Sequence, residues 1–134
     1  MSSDSPAAGD SRQSPQLYNW ASLAREYVRP GIERAGVGGE NVVCQFGWVE
    51  PGAALRPHQH AFEQLVLILE GHCIYHVGGV PHRCSRGSVV RVPPHTEHYI
   101  EVTGEETVLN LDIFAPVPPE YAHLLDHQRD EWKI

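Results

Sequence analysis

Between residues 31 and 114 the chain falls into short runs in which apolar and polar positions alternate, each closed by Gly, Pro or a small polar residue. A period of two places successive side chains on opposite faces of an extended strand. Candidate strands cover residues 32–35, 41–50, 55–60, 63–70, 72–77, 80–84, 88–92, 98–102 and 106–114. Many short strands with turn signals between them predict an all-β fold, an antiparallel sandwich or barrel. Two helical patterns flank it. Asn19 caps a short helix with Trp20, Leu23, Ala24 and Tyr27 on one face, ended by Arg29-Pro30-Gly31. From Pro119, suited to a first helical turn, Tyr121, Leu124, Leu125 and Gln128 recur at i, i+3, i+4 and i+7. Residues 1–16 are mostly Ser, Pro, Ala, Gly and Asp and read as a mobile tail, leaving one domain over residues 17–134.

Composition narrows the function classes. A chain of 134 residues, 41% of them hydrophobic, can bury one core. Its longest apolar run, residues 65–69, is strand length, so no membrane partner is expected. The first residues lack a basic stretch followed by an apolar one, and a cytoplasmic location is expected. The formal charge is −7 and no Lys/Arg cluster exists, which excludes nucleic acid as an expected partner. Cys44, Cys73 and Cys84 are odd in number and form no C-x-x-C pair, so they read as reduced, mostly buried thiols. Nine histidines are many for this length, and position must select among them.

The segment from Gly52 to Gly71 carries the first selection. His58, His60 and Gln64 have one parity, shared by Val66 and Ile68, while Glu63 has the other. On a strand this places two imidazoles and an amide oxygen on one face, a metal half-site that needs a further ligand. The search for that ligand leads to residues 87–98, where Gly87 allows a turn, Pro93-Pro94 breaks a strand and His98 opens the next, with Ile100 and Val102 on its face.

Together these segments resemble the two signature motifs of the cupin superfamily. The first runs Gly, five residues, His-x-His, a few residues, Glu, six residues, Gly; Gly52, His58, His60 and Gly71 match, with Gln64 in the Glu position. The second runs Gly, five residues, Pro-x-Gly, two residues, His, three residues, Asn; Gly87, Pro93 and His98 match, His95 replacing the Gly and Val102 the Asn. The resemblance covers roughly residues 31–114. It implies a cupin jelly-roll with short terminal helices, and one divalent transition metal held by His58, His60, Gln64 and His98. Three imidazoles and an amide oxygen suit zinc first, and also Ni, Fe, Co or Mn. Gln64 is neutral, so a metal there keeps its full charge and is the stronger Lewis acid. His72, His76 or His95 could add a ligand or a proton shuttle.

The last strand alternates cleanly, Leu109, Leu111 and Ile113 on one face, Asn110, Asp112 and Phe114 on the other. Asp112 is a candidate general acid/base, with pairing to an arginine or capping of a turn as the other reading. Phe114, Asn110, Val66 and Ile100 are the expected pocket residues. The segment LDIFAP resembles the closing strand of cupins that linearise unsaturated uronates; those carry a carboxylate-binding Arg four residues beyond the Phe, where this chain has Pro118. An apolar pocket lacking that Arg suits a polyketide better than a sugar acid. The expectation is a metal-dependent enzyme performing non-oxidative cyclisation or isomerisation of a carbonyl-containing small molecule, of the polyketide-cyclase kind. The alternatives are an Fe or Ni dioxygenase and a non-catalytic small-molecule-binding cupin. A homodimer is expected, with Leu109, Leu111 and Ile113 serving core or interface.

Overall fold

The computed structural model describes residues 14–132. Nine strands follow in order: β1 (Glu26–Arg29), β2 (Ile32–Gly38), β3 (Val43–Val49), β4 (Gln64–Glu70), β5 (Cys73–Val77), β6 (Val80–Cys84), β7 (Val89–Val92), β8 (His98–Val102) and β9 (Val108–Phe114). They form a six-stranded sheet, β1-β2-β3-β9-β4-β7, and a three-stranded sheet, β6-β5-β8. Every strand pair is antiparallel. The two sheets pack as the expected jelly-roll.

Alternation explains the packing. Val66 and Ile68 of β4, Val49 of β3, Val92 of β7 and Val108 at the start of β9 meet Cys73, Tyr75 and Cys84 of the smaller sheet in the main core. Burying one aliphatic side chain of this size contributes roughly 1.5–3 kcal/mol. All three thiols are free, Cys73 and Cys84 buried and Cys44 half-buried. A second cluster, Ala35, Trp48 and Leu109, lies on the outer face of the large sheet and is covered by Leu23. Leu109 is therefore core, whereas Leu111 and Ile113 remain half-buried. A third cluster, Val43, Phe114 and Leu125 with Phe62 and Tyr121 against it, closes one end with the C-terminal segment. That segment docks because Gly36 has no side chain: a Cβ there would stand 2.6 Å from Cβ of Leu124.

Four expectations change. The region after Asn19 makes a single 3-10 turn, Trp20–Ser22, although Asn19 does cap it, its side chain accepting from the Ala21 amide at 2.9 Å. Tyr27 sits on β1, 66% exposed, because edge pairing with β2 satisfies backbone groups that one isolated turn cannot. Residues 55–60 form no strand: their one ladder contact is an isolated bridge between His58 and His98, and Pro57 has no amide to extend it. The C-terminal segment is mainly 3-10, Pro119–Leu125 and Asp130–Trp132, around one α-turn, α1 (Asp126–Arg129). Of the expected tail, residues 1–13 lie outside the described residues, but Gln16 is tied down. Its side chain donates to Glu131 at 2.7 Å and accepts from Gln128 at 3.0 Å and from the Trp132 indole at 3.1 Å.

Candidate functional site

His58 and His60 stand on the loop between β3 and β4, Gln64 opens β4, and His98 opens β8 on the other sheet. The shared strand face proposed for the two loop histidines does not exist, yet the residues meet. One nitrogen from each of His58, His60 and His98 lies within 4.8 Å of the other two, the metal-ligand grouping found among the described residues. The bridge between His58 and His98, with amide-to-carbonyl distances of 3.2 and 2.9 Å, brings the loop to the second sheet.

The backbone sets the tautomer of all three rings. Nδ1 of His58 lies 2.8 Å from the Arg56 carbonyl, Nδ1 of His60 2.8 Å from that of Phe62, and Nδ1 of His98 2.8 Å from that of Thr96. A carbonyl only accepts, so each Nδ1 carries the proton and each Nε2 presents a lone pair. Nε2 of His98 is buried without a hydrogen-bond partner. The Gln64 carbonyl oxygen joins the group, 3.0 Å from Nε2 of His60. A buried acceptor without a donor is costly, and acceptors pointing at one another are worse; a divalent cation among them removes both penalties. Three neutral imidazoles and an amide oxygen therefore fit a transition metal by their own chemistry. Burial holds the His98 pKa down at about 4, with the nearby His58 and His60 pushing it the same way against the Thr96 hydrogen bond.

Gln64 also reaches the other way, donating from its amide to the Tyr75 hydroxyl at 3.3 Å. Tyr75 is buried, stacks at 6.3 Å on the His98 ring, and has its pKa pushed well above the ordinary tyrosine value by that burial. Asp112 is 8% exposed. Its oxygens accept from Asn110 at 3.0 Å and from Gln45 at 3.3 Å. Burial raises its pKa to about 6, and the amides of Gln64, Asn110 and Gln45 limit the rise. No arginine among the described residues pairs with it. Phe114 stacks on Tyr121 at 4.9 Å and meets His60 edge-on at 5.9 Å.

A cavity of about 360 Å³ opens onto these groups, with His58, Gln64, Ile100, Asn110, Asp112 and Phe114 in its wall. Of the four expected pocket residues Val66 is absent: it is fully buried in the main core, one step deeper along β4 than Gln64. His72 and His95 are exposed and outside the cluster, and His76 is engaged elsewhere, 2.9 Å from a Glu101 oxygen and stacked on Tyr99. His95 occupies the Gly position of the second motif with φ 61°, the left-handed backbone that a glycine adopts freely. The expected pocket, apolar and lacking the arginine beyond Phe114, is corrected in its apolar character. Arg29, Arg34 and Arg56 line it, supplied by the β1–β2 hairpin and the β3–β4 loop rather than by the segment after β9. Sequence reasoning also missed Gln45 and Tyr121 as pocket residues. For Gln45 the signal was available, since it faces Asp112 across the β3–β9 ladder.

Known proteins carry the same architecture. A stretch of 56 residues is 39% identical to the dimethylsulfoniopropionate lyase DddW of Ruegeria pomeroyi, covering 42% of this chain and 35% of that one. The match thus spans about a third of the length of that relative. KdgF from a Halomonas species superposes with a TM-score of 0.71 at 23% identity, covering 80% of this chain and 98% of the other. The polyketide cyclase RemF of Streptomyces resistomycificus superposes with a TM-score of 0.69 at 18% identity, over 78% of this chain and 82% of that one. Residues 48–114, spanning both motifs and the closing strand, match the cupin domain family, and the chain belongs to it.

Proposed function

We propose that this cupin is a metal-dependent enzyme that moves a proton on a carbonyl-containing small molecule without net oxidation, leading to cyclisation or isomerisation. The observation that carries the reading is the position of Asp112: a carboxyl group in the wall of the same cavity as His58 and Gln64, held by amides and by no cation among the described residues. His58, His60, His98 and Gln64 would hold one divalent transition metal, zinc being our assignment. When bound, such an ion supplies Lewis acidity that makes a proton next to a carbonyl easier to remove.

The protein's own groups do the rest. Asp112 takes the proton on a carboxylate oxygen and returns it to another carbon or to an oxygen. Asn110 and Gln45 fix the carboxylate plane so that the proton transfer needs no side-chain search. Gln64 couples the metal-binding group to Tyr75 through its two amide ends. Phe114 and Tyr121 provide an apolar wall for the carbon skeleton. The polyketide cyclase RemF and the lyase DddW are consistent company, because ring closure and elimination can both begin with loss of a proton beside a carbonyl. Polyketide cyclisation is the more specific form of the reading, and the arginines in the wall extend it to acidic substrates.

The test is deuterium incorporation from heavy water into a panel of β-dicarbonyl and oxo-acid compounds, followed by NMR with zinc-loaded protein. Wild type incorporates label and Asp112→Asn does not, while both retain metal. Oxygen consumption with iron-loaded protein, without any exchange, would replace the reading with a dioxygenase. Small-molecule binding that Asp112→Asn leaves intact, with no exchange, would make the chain a binding module.

A further inference from the structure

The cavity wall holds more positive charge than the proton-transfer chemistry uses. Its charged lining residues besides Asp112 are Arg29, Glu33, Arg34 and Arg56. Two of these are compensated. Arg34 makes a forked pair with Glu26, at 3.2 and 3.5 Å, and Glu33 faces Arg25 at 3.5 Å. The other two have no carboxylate partner among the described residues. Arg29 donates to the Ala54 carbonyl at 2.6 Å, a contact that fixes its direction without neutralising it. Arg56 makes no side-chain hydrogen bond or ion pair there. Arg29 and Arg56 also feel each other: burial lowers the Arg29 pKa, and the Arg56 charge lowers it further.

Two arginines in the wall of one cavity, neither paired with a carboxylate among the described residues, leave positive charge there that nothing nearby neutralises directly. An anion between them neutralises that charge and meets the fork geometry of arginine. Their place in the chain ties the pair to the metal-binding group, because the Arg56 carbonyl is the acceptor that orients His58. Arg29 reaches the same mouth from the β1–β2 hairpin, its side chain anchored on the β3–β4 loop.

We propose that Arg29 and Arg56 form an anion-binding clamp at the mouth of the cavity, so that the substrate is a small organic acid. Its carboxylate rests on the clamp while its carbonyl-bearing part lies deeper, between Asp112 and the histidine cluster. This assignment rests on the proposed function for the identity of the reacting part, but the clamp itself does not.

The experiment therefore reads anion binding apart from turnover. The arginine side-chain N–H signals of zinc-loaded and metal-free protein are followed by NMR during titration with malonate, with inorganic phosphate and with the uncharged malonamide. Malonate is expected to shift the Arg29 and Arg56 signals saturably in both forms of the protein, and malonamide to shift neither. Phosphate shifting them more strongly than malonate would replace the carboxylate with a phosphate ester. Arg29→Gln and Arg56→Gln should each weaken malonate binding about tenfold and leave zinc content unchanged, since the Arg56 backbone carbonyl is retained. If no anion moves either signal into the tens of millimolar, or if the double variant binds malonate as wild type does, the clamp is wrong. Loss of deuterium exchange with intact malonate binding would instead remove the proton-transfer reading and leave the clamp standing.

Discussion

The Gln64 carbonyl oxygen lies 3.0 Å from Nε2 of His60, and with the His60 proton committed to the Phe62 carbonyl neither atom has a hydrogen to give the other. The contact holds a lone pair against a lone pair. A metal held by both would turn that cost into a pair of bonds, and its binding would then be linked to folding. Ion removal by a chelator should lower the melting temperature, and restoring zinc should raise it again. At a thousandfold excess over the dissociation constant the gain is about 4 kcal/mol. Replacing Gln64 with Leu removes the acceptor opposite His60, so the chelator effect should shrink; calorimetry of both proteins with and without zinc measures it.

Acid stability of the metal-free protein should reveal two opposed titrations. Asp112 holds its proton more tightly folded than unfolded, with a pKa of about 6 against 3.8, so its contribution is present at low pH and is lost as pH rises through that window. His98 holds its proton less tightly folded, about 4 against 6.5, so its contribution is present above that window and is lost as pH falls through it. Each is worth about 3 kcal/mol, and between them they nearly cancel. Asp112→Asn removes one side of the balance. Urea unfolding should then show a variant that gains on wild type steadily from about pH 4 to about pH 7; parallel curves would contradict it.

At His95 the backbone is left-handed, and the residue is exposed with its amide donating to the His60 carbonyl at 2.7 Å. A β-branched residue tolerates that conformation poorly, so His95→Val should lose about 1–2 kcal/mol. His95→Gly should be neutral or slightly stabilising, the relief of strain being offset by a freer unfolded chain. Both variants should keep their metal, because the ring lies outside the cluster. Denaturant midpoints and metal analysis check the two halves of this expectation.

At Gly47 the cavity wall has no room for a side chain. A Cβ there would stand 2.6 Å from Oδ1 of Asn110, the side chain that donates to Asp112. Gly47→Ala should push that amide aside and reduce proton exchange by roughly tenfold, the worth of one hydrogen bond to a charged group. Metal content should not change. An alanine variant with wild-type exchange would show that Asn110 does not position Asp112.

Most of the strands were legible because their signals are local: β8 and β9 alternate strongly, and β4 shows itself as an uninterrupted apolar run of strand length. The loop carrying His58 and His60 also alternates, but Pro57 removes the donor a ladder would need, and alternation alone cannot register that. The clustering of His58, His60 and His98 was reached through motif spacing even though the shared strand face was wrong. Val66 shows a different limit. Parity places it on the same inner face as Gln64, but parity has no depth, and one further step along β4 crosses from cavity to core. The arginines were illegible for a third reason. Arg29 and Arg56 lie on a hairpin and a loop whose side-chain directions are set by how the strands fold together, so no period in the sequence points them inward.

All three imidazoles are aimed by main-chain carbonyls two residues away, at Arg56, Phe62 and Thr96. Every residue type supplies the same carbonyl. The side chains at these positions are therefore free to change character without turning the rings, as Arg56 already illustrates by aiming His58 with its backbone while it also lines the cavity. Ligand preference at the mouth and affinity at the cluster are in this way separable traits, and the barrel can be refitted for a new substrate while its cradle stays as it is.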